Sequence, residues 1–412
     1  MSKDTVEIEG SRVEKESKSV LDDLLQEGAR RMLQAAIEGE VADYIEQHQH
    51  LVDDAGHRLV VRNGTLPQRE ILSGVGRLRI KQPRVNDRRD HKRFTSRILP
   101  PFMRRTPSID SLIPALYLKG ISTGDFSEAL VAILGENAAG LSPTNIVRLK
   151  AGWEDEYRQW SKRDLSGKQY VYLWADGIYF NVRLEPDRPC MLVLMGTLAD
   201  GTKELVAVYD GHRESKESWR EVLGNLKACG LKSCPKLAVG DGALGFWAAL
   251  EEIYPATRHQ RCWVHKTANV LDKLPKRVQP HAKGMLHEMY LAPTKADAER
   301  ACEAFLAHYG AKYPKACDCL RKDREALFTF YDFPAEHWAH IRTTNPIEST
   351  FATVRHRTRQ TKGCGSRLAT LTMVFKLARQ AEKHWRKINA CKLIPKIIDD
   401  MKFVDGELKE AA

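Results

Sequence analysis

The chain has 412 residues, of which 42% are hydrophobic and 29% charged, and its formal net charge is +11. This length exceeds one ordinary hydrophobic core and predicts two or three domains. No apolar run approaches the roughly 18 residues that a membrane-spanning helix needs, so an integral membrane protein is not expected. Nine cysteines in no regular framework, and an N-terminus without a signal-peptide pattern, predict free thiols in a cytoplasmic protein and exclude a disulfide scaffold.

The positive charge is concentrated in one segment. Between His57 and Pro107 there are fourteen Lys or Arg residues and three acids, a balance of +11 that equals the net charge of the whole chain. A concentrated basic segment is typical of a protein that binds a polyanion such as DNA. A basic surface that serves only solubility is the alternative.

The N-terminal part of the chain precedes this segment. Residues 1–20 are rich in Lys, Glu and Ser, which predicts a mobile leader. Residues 21–56 carry apolar side chains at steps of three and four, which predicts one amphipathic helix or a pair of helices, with Gly28 and Gly39 as weak points. We expect this helical region to pack against another domain or a second subunit.

Residues 57–107 change to short strand patterns separated by Gly and Pro, the last of them at 94–102 (FTSRILPPF). Arg77, Arg79 and Lys81 alternate with apolar residues, so these basic side chains share one face of a predicted strand. Such a face can lie along DNA phosphates, which gives affinity without sequence specificity. The DNA-binding residues predicted in this segment are Arg62, Arg77, Arg79, Lys81 and Arg84.

Residues 108–165 contain two helical patterns separated by a break at 135–140, with Pro143 in the first turn of the second helix. The pattern predicts a mainly helical, helix-turn-helix-like DNA-binding region whose second helix presents Arg148 and Lys150 to a major groove. Any helical hairpin would give a similar pattern, so that alternative stays open.

Residues 166–267 have the alternation of an α/β domain. The pattern predicts a strand, an antiparallel hairpin that turns at Asp200 and Gly201, a helix, a short strand ending in Asp241, a second helix and a last strand. This order is that of a ribonuclease-H-like catalytic core.

The remaining residues are mainly helical. We expect residues 268–335 to form an α-helical insertion, residues 336–400 to complete the core with a basic C-terminal helix, and residues 401–412 to form a tail. The predicted fold class is therefore an α/β ribonuclease-H-like catalytic core with an α-helical insertion, preceded by an N-terminal, mainly helical DNA-binding region.

Asp176 interrupts a strand pattern at 171–183 that is mostly apolar on both faces. An unpaired carboxylate inside a covered strand is energetically unfavourable unless it is paired or holds a metal. Two ordinary explanations exist: a hairpin turn at Asp176 and Gly177, or a hydrogen bond to backbone. Catalysis is the third explanation.

Asp176 and Asp241 lie on strands that are parallel neighbours in the predicted topology. Two acids that close together ionise readily only with a cation between them, and Mg²⁺ held by carboxylates and substrate phosphates is the setting of two-metal phosphoryl transfer. A third acid is expected on a later helix, and Glu348 lies near a predicted helix start with Thr344 or Asn345 as the cap. An acid at a helix start is ordinarily only a dipole partner. Here a basic run that can hold DNA phosphates follows it, namely Arg355, Arg357, Arg359 and Lys362.

Four separated motifs occur in order: Asp176 in WADGIYF, Asp241 in VGDGALGFW, RCWVHK at 261–266, and Glu348 in TTNPIESTFATVRHRT. Together they resemble the IS256-type bacterial insertion-sequence transposases, relatives of the eukaryotic Mutator elements. The resemblance implies a ribonuclease-H-like Asp-Asp-Glu domain with an α-helical insertion between the second Asp and the Glu. It also implies that Asp176, Asp241 and Glu348 are the catalytic residues and ligate two Mg²⁺ ions, for which Mn²⁺ can substitute.

The resemblance also draws attention to Cys262 and His265. A Cys and a His three residues apart are half of a zinc site, but no second pair at ligand spacing lies nearby in the sequence. We therefore expect Cys262, Trp263 and His265 to form the edge of the active site, with His265 close to the acids or to a phosphate.

These observations predict a DNA transposase that binds the terminal inverted repeats of its own element, cleaves a strand and joins the freed 3′-hydroxyl to target DNA. Because two ends must be cut together, we expect at least a homodimer on double-stranded DNA, in the bacterial cytoplasm and associated with the nucleoid when bound. One alternative is a structure-selective nuclease of the same fold, which cuts without joining. The other is a DNA-binding regulator with an inactive site.

Overall fold

The structure is a computed structural model that describes residues 20–119, 121, 128–129, 143–182, 188–211, 213–360 and 366–409. The chain forms two compact units, Met1–Asn145 and Ile146–Ala412. Across the described residues, no helix combines the length and the apolar character that crossing a membrane requires.

The first described element of the N-terminal unit is one long helix, α1 (Val20–Gln47), which continues through both Gly28 and Gly39. A Cβ atom at either glycine would have no neighbour within 4 Å, so these glycines do not mark close packing. The helix buries Ile37 and Val41 on one face. Its core partners come from the strands and the loop that follow, namely Ile71, Leu78, Ile80 and Leu99.

Two antiparallel strand pairs follow α1. The strands are β1 (Val60–Thr65), β2 (Arg69–Ser73), β3 (Gly76–Ile80) and β4 (Pro83–Asp87). Strand β1 pairs with β4, and β2 pairs with β3. Along β3, Leu78 and Ile80 are buried, Arg79 is exposed and Arg77 is half-buried, which confirms the predicted alternation.

The segment 94–102 was predicted to be strand-like, and this prediction was wrong because the segment forms bends and turns. Two consecutive prolines lack the backbone N–H that a strand ladder needs. Glu40 on α1 holds the segment instead: its carboxylate accepts a hydrogen bond from the backbone N–H of Arg97 at 2.6 Å and another from the Ser96 hydroxyl. A contact from a distant helix thus replaces strand pairing.

The predicted helix-turn-helix region contains α2 (Pro107–Lys119) and α3 (Pro143–Ser161). The described part of α3 starts at Pro143, the residue predicted to lie in its first turn. The predicted break at 135–140 lies outside the described residues, so the helix-turn-helix stays a prediction.

The C-terminal unit is built on a mixed sheet. Its strands, in chain order, are β5 (Tyr170–Tyr179), β6 (Cys190–Leu198), β7 (Lys203–Gly211), β8 (Leu237–Gly240) and β9 (Arg258–Arg261). Their order across the sheet is β7-β6-β5-β8-β9. The first three strands are antiparallel to one another, whereas β8 runs parallel to β5 and to β9. Strand β5 is therefore central, and it is buried along most of its length, as predicted.

The hairpin turn predicted at Asp200 and Gly201 is present. Gly201 has φ +82°, and its N–H donates to the carbonyl of Leu198 at 3.0 Å. Asp176 and Gly177, by contrast, lie inside the β5–β6 ladder, where Gly177 is paired with Leu192. The hairpin-turn explanation of Asp176 is therefore excluded.

Two helices cover one face of the sheet. They are α4 (Lys216–Ala228) and α5 (Leu244–Ile253). Trp219 and Phe246 pack ring to ring at 4.9 Å and join Leu173 of β5 in one apolar core. This layer supports the strand that carries Asp176.

Further helices follow β9. They are α6 (Trp263–Leu271), α7 (Gln279–Leu291), α8 (Lys295–Tyr309) and α9 (Pro314–Lys322). Consecutive helices in this group pack against one another, and α9 also contacts α6. The group forms one helical layer that connects β9 to the rest of the chain.

The other face of β5 is covered by the C-terminal part of the chain. Helix α10 (Asn345–Gln360) packs against β5, and α11 (Arg367–Glu382) packs against β7 and α10. The Tyr172 hydroxyl hydrogen-bonds His337 at 2.7 Å, and the Trp174 indole N–H donates to a backbone carbonyl of the same segment. Because side chains alternate along a strand, Asp176 points to this face as well.

The hairpin turn gives a test of the fold. A Cβ at Gly201 would lie 2.4 Å from Cys391 Cβ, and φ is left-handed there. We expect Gly201→Ala to lower the free energy of unfolding by about 2 kcal/mol. Gly224→Ala is the control, because Gly224 lies within α4 with no neighbour within 4 Å, and this change should stabilise by about 0.5–1 kcal/mol. Urea denaturation of both variants measures the two effects, and equal effects would contradict this account.

Candidate active site

Asp176 and Asp241 lie next to each other just beyond the parallel pairing of β5 with β8, at the edge of the sheet towards which these two strands run. Ala175 of β5 is paired with Gly240 of β8 in parallel register, so the two aspartates are the next residues on neighbouring strands. Asp176 is only 7% exposed, and its carboxylate accepts a hydrogen bond from the backbone N–H of Gly177 at 2.8 Å. The carboxylate of Asp241 accepts one from the N–H of Ala243 at 2.9 Å.

The charge of this pair is poorly compensated. Burial, and then the negative charge of Asp241, raise the pKa of Asp176 to about 7. Such a shift is typical of carboxylates that share a site, because both cannot be charged cheaply without a positive partner. A cation between them would restore the ionised form.

A further acid, Glu214, lies at the same edge and was missed by the sequence analysis. It lies between β7 and α4, directly before the capping residue Ser215. Burial, and then the charge of Asp241, raise the pKa of Glu214 to about 7. In the sequence, an acid beside a capping serine resembles an ordinary helix-start acid. Only the structure, in which the chain after β7 comes back to the edge that carries the aspartates, distinguishes Glu214 from such an acid.

Glu348 lies in the first turn of α10, and Thr344 directly precedes the helix. The Thr344 hydroxyl donates to the Glu348 carboxylate at 2.7 Å, and the N–H of Glu348 donates to the Thr344 carbonyl at 3.0 Å. His265 Nε2 lies 3.8 Å from the same carboxylate, and the charge of Asp176 also acts on this ring. His265 therefore lies beside Glu348 and within electrostatic reach of Asp176.

Cys262 and His265 are three residues apart at the start of α6, so they share one side of the helix. Their hydrogen bond, opposed by burial, raises the pKa of His265 to about 9, which makes the ring positively charged at neutral pH. Burial alone would raise the pKa of Cys262, but hydrogen bonds with His265 and Thr344 outweigh it and leave this pKa below its ordinary value. Trp263 turns away into the core, where its N–H donates to the Leu327 carbonyl at 2.8 Å.

The sulfur of Cys262, a ring nitrogen of His265 and a carboxylate oxygen of Glu348 lie within 4.8 Å of one another. These are the donor types of a zinc site. The Thr344 hydroxyl oxygen, however, lies 3.2 Å from the sulfur, 3.3 Å from His265 Nδ1 and 2.7 Å from the Glu348 carboxylate. This oxygen lies close to all three residues, so they form a hydrogen-bonded cluster around Thr344.

The predicted DNA-binding residues of the N-terminal unit are on its surface. Arg62, Lys81 and Arg84 are exposed. Arg77 and Arg79 both bind the carboxylate of Glu70, at 2.9 and 3.0 Å, and surface ion pairs of this kind are weak enough to exchange for phosphates.

The predicted DNA-binding residues of the C-terminal unit differ from one another. Arg355 is exposed, whereas Arg357 is only 3% exposed because it faces the interior on the other side of α10. Lys150 is half-buried on α3. The side chains of Arg148 and Arg359, and the whole of Lys362, lie outside the described residues.

Comparison with known proteins identifies the family. The family model described as "Transposase, Mutator family" matches residues 1–388. The chain belongs to the Mutator family of transposases. The family resemblance found in the four sequence motifs is therefore confirmed.

Several relatives of this transposase are named as insertion-sequence transposases. The chain is 51% identical over 302 residues to the transposase for insertion sequence element IS6120 of Mycolicibacterium smegmatis, a match that covers 73% of this chain and 93% of that protein. It is 52% identical over 286 residues to the transposase for IST2 of Acidithiobacillus ferrooxidans, covering 68% and 94%. A more distant relative, the transposase for ISRM5 of Rhizobium meliloti (strain 1021), is 26% identical over 372 residues, covering 89% and 90%.

The raised pKa of Asp176 predicts a pH-dependent stability. The folded state holds the proton of this carboxyl more tightly than the unfolded state, so stability is lost as the pH rises from the ordinary pKa of 3.8 to about 7. We therefore expect Asp176→Asn, compared with the wild type in EDTA, to gain about 1–2 kcal/mol in free energy of unfolding between pH 4.5 and pH 8. Urea denaturation at both pH values measures this gain.

The control for this comparison is Asp318→Asn, an exposed aspartate on α9. It reports what removing a surface carboxylate does by itself. A stability difference between Asp176→Asn and the wild type that stays constant with pH would contradict the proposed repulsion.

Proposed function

We propose that this transposase cleaves DNA at the terminal inverted repeats of its element and joins the freed 3′-hydroxyl to target DNA, with Asp176, Asp241 and Glu348 as its catalytic residues and metal ligands. The observation that carries the proposal is the parallel register of Ala175 and Gly240, which puts the two aspartates side by side. His265 contacts Glu348, and the charge of Asp176 acts on the same ring. Both observations support Glu348 as the third catalytic residue.

We further propose that the C-terminal unit is a ribonuclease-H-like core. Three antiparallel strands followed by two parallel strands, with a helix before each parallel strand, support this assignment. The helical layer between β9 and α10 corresponds to the α-helical insertion expected before the catalytic glutamate.

The side chains at this edge fit a magnesium site. Carboxylate oxygens are the donors that Mg²⁺ prefers, and Mn²⁺ accepts the same donors. Asp176 is a buried acid whose charge lacks full compensation, which a cation would supply. When bound, two such ions provide Lewis-acid stabilisation of phosphoryl oxygens and lower the pKa of an attacking water or hydroxyl.

The protein groups around these acids have distinct tasks in this proposal. Asp176 on β5 and Asp241 directly after β8 supply two metal-ligating carboxylates, and neither can move away without disturbing the sheet. Thr344 orients the Glu348 carboxylate through its hydroxyl. The positively charged ring of His265 offsets part of the acidic charge and can donate a hydrogen bond to a phosphate.

DNA contacts are proposed for both units. An open groove of about 1020 Å³ in the N-terminal unit has five basic side chains along its lining and two acids, Glu70 and Asp87; the basic residues are Arg69, Arg84, Lys92, Arg93 and Arg104. This balance suits the phosphates of double-stranded DNA. In the C-terminal unit the exposed Arg355 follows Glu348 along α10 and is proposed to hold a phosphate near the acids.

Assembly and location follow from the proposed reaction. Two element ends must be cut together, so the active form is proposed to be at least a homodimer on DNA. The relatives are bacterial proteins, and their names assign them to insertion sequences. We therefore propose that the protein acts in the bacterial cytoplasm, at the nucleoid when bound to DNA.

The catalytic assignment predicts that substitutions of the three acids abolish strand cleavage but leave DNA binding intact. Asp176→Asn, Asp241→Asn and Glu348→Gln should each reduce strand cleavage by at least about a thousandfold while binding to the terminal repeats persists. Cleavage and strand transfer are measured on labelled terminal repeats with Mg²⁺, and binding by gel shift. Glu217→Gln, an exposed acid on α4, is the control and should cleave like the wild type.

Two outcomes would contradict this proposal. Cleavage without any joined product would favour the structure-selective nuclease. Wild-type transposition by Asp176→Asn in cells would favour a DNA-binding regulator with an inactive site.

The Thr344 cluster predicts a positioning effect. Thr344→Val keeps the shape of the side chain but removes the hydroxyl that orients Glu348, so we expect kcat for cleavage to fall by about tenfold or more with little change in KM. Thr344→Ser keeps the hydroxyl and should restore most of the activity. Equal losses in both variants would show that packing, not the hydrogen bond, is what matters.

A further inference from the structure

Glu214 is a half-buried carboxylate at the proposed active site, and the reaction proposed above does not use it. It follows β7 and immediately precedes Ser215, whose hydroxyl accepts a hydrogen bond from the N–H of Ser218 and starts α4. The residue therefore lies where the chain returns from the far edge of the sheet to the helix layer.

Two glycines determine where Glu214 lies. A Cβ at Gly177 would be 2.5 Å from the Oε1 atom of Glu214, so this carboxylate lies directly over the backbone of the residue that follows Asp176. A Cβ at Gly245 would be 2.5 Å from the backbone oxygen of Glu214. Gly245 lies in the first turn of α5, four residues after Asp241, so the backbone of Glu214 packs against the element that Asp241 introduces. The approach at Gly245 requires glycine because the neighbouring atoms are backbone, whereas a Cβ at Gly177 would displace the Glu214 side chain.

The contacts of Glu214 leave room for another ligand. The Tyr179 side chain lies beside its carboxylate, and the Cys190 sulfur lies 3.9 Å from Oε1. A carboxylate can accept about four hydrogen bonds or metal contacts. Its strongest electrostatic neighbour is Asp241, a like charge, which is unfavourable unless a cation lies nearby.

We propose that Glu214 is a fourth carboxylate ligand of the metal site formed by Asp176, Asp241 and Glu348. The proposal rests on the proposed function of that site. Charge balance supports it: two divalent cations carry four positive charges, and three carboxylates supply at most three negative charges. Glu214 can add a fourth negative charge from protein side chains, and substrate phosphates supply more.

Manganese binding tests this proposal without DNA or catalysis. Mn²⁺ is titrated into the full-length protein, and free Mn²⁺ is counted by electron paramagnetic resonance. We expect Glu214→Gln, which keeps the shape and the Tyr179 contact, to weaken Mn²⁺ binding at least about tenfold. Asp176→Asn should weaken it further, and the control Glu217→Gln, three residues along the chain and exposed, should bind like the wild type.

The outcomes separate the two claims. If Glu214→Gln binds Mn²⁺ like the wild type while Asp176→Asn does not, Glu214 is not a ligand and the proposed function stands. If Asp176→Asn also binds like the wild type, the metal site itself is wrong.

The glycine contact gives a second test. Gly177→Ala displaces the Glu214 carboxylate, so it should weaken Mn²⁺ binding as Glu214→Gln does. In a Glu214→Ala background the space is empty, and Gly177→Ala should then have no further effect. An equal loss in both backgrounds would show that Gly177 acts independently of Glu214 and would overturn the proposed geometry.

Discussion

The parallel pairing of β5 with β8 is the constraint on which the rest of the site depends. It makes Asp176 and Asp241 the next residues on two adjacent strands, and the sheet holds their backbones at strand spacing. Helices cover both faces of β5, so Asp176 cannot move out to solvent to relieve the repulsion. The fold therefore concentrates negative charge at one edge of the sheet, and positively charged side chains or ions must compensate it.

Side chains around the aspartates partly compensate this negative charge. His265 is held by Cys262 and Thr344 in a position where its positive charge faces the acids, and Thr344 also orients Glu348. One hydroxyl thus couples the start of α6 to the start of α10. Glu214 reaches the same edge from the opposite helix layer, over a glycine. Five separate parts of the chain meet here, which is the arrangement that a site for polyvalent cations and phosphates requires.

Local patterns predicted much of the secondary structure and the pairing of the aspartates. A buried strand interrupted by an acid, and a short strand ending in another, are visible in the sequence because alternation and turn residues act over a few positions. The position of each residue around its helix explains why close neighbours in the sequence differ in burial. Cys262 and His265 share a side of α6 while Trp263 faces the core, and Arg355 is exposed on α10 while Arg357 is buried.

Features that depend on distant contacts could not be predicted in the same way. The segment 94–102 has a strand-like apolar pattern, but Glu40, more than fifty residues earlier, binds its backbone. Glu214 resembles a helix-start acid until the packing of Gly177 and Gly245 is known. In both cases a single long-range contact outweighs the local preference.

Anomalous X-ray diffraction from crystals soaked in Mn²⁺ would show whether Asp176 and Asp241 hold metal ions together. We expect anomalous peaks within about 2.3 Å of carboxylate oxygens of both residues. Peaks that avoid these oxygens, or that lie only beside Cys262 and His265, would contradict it.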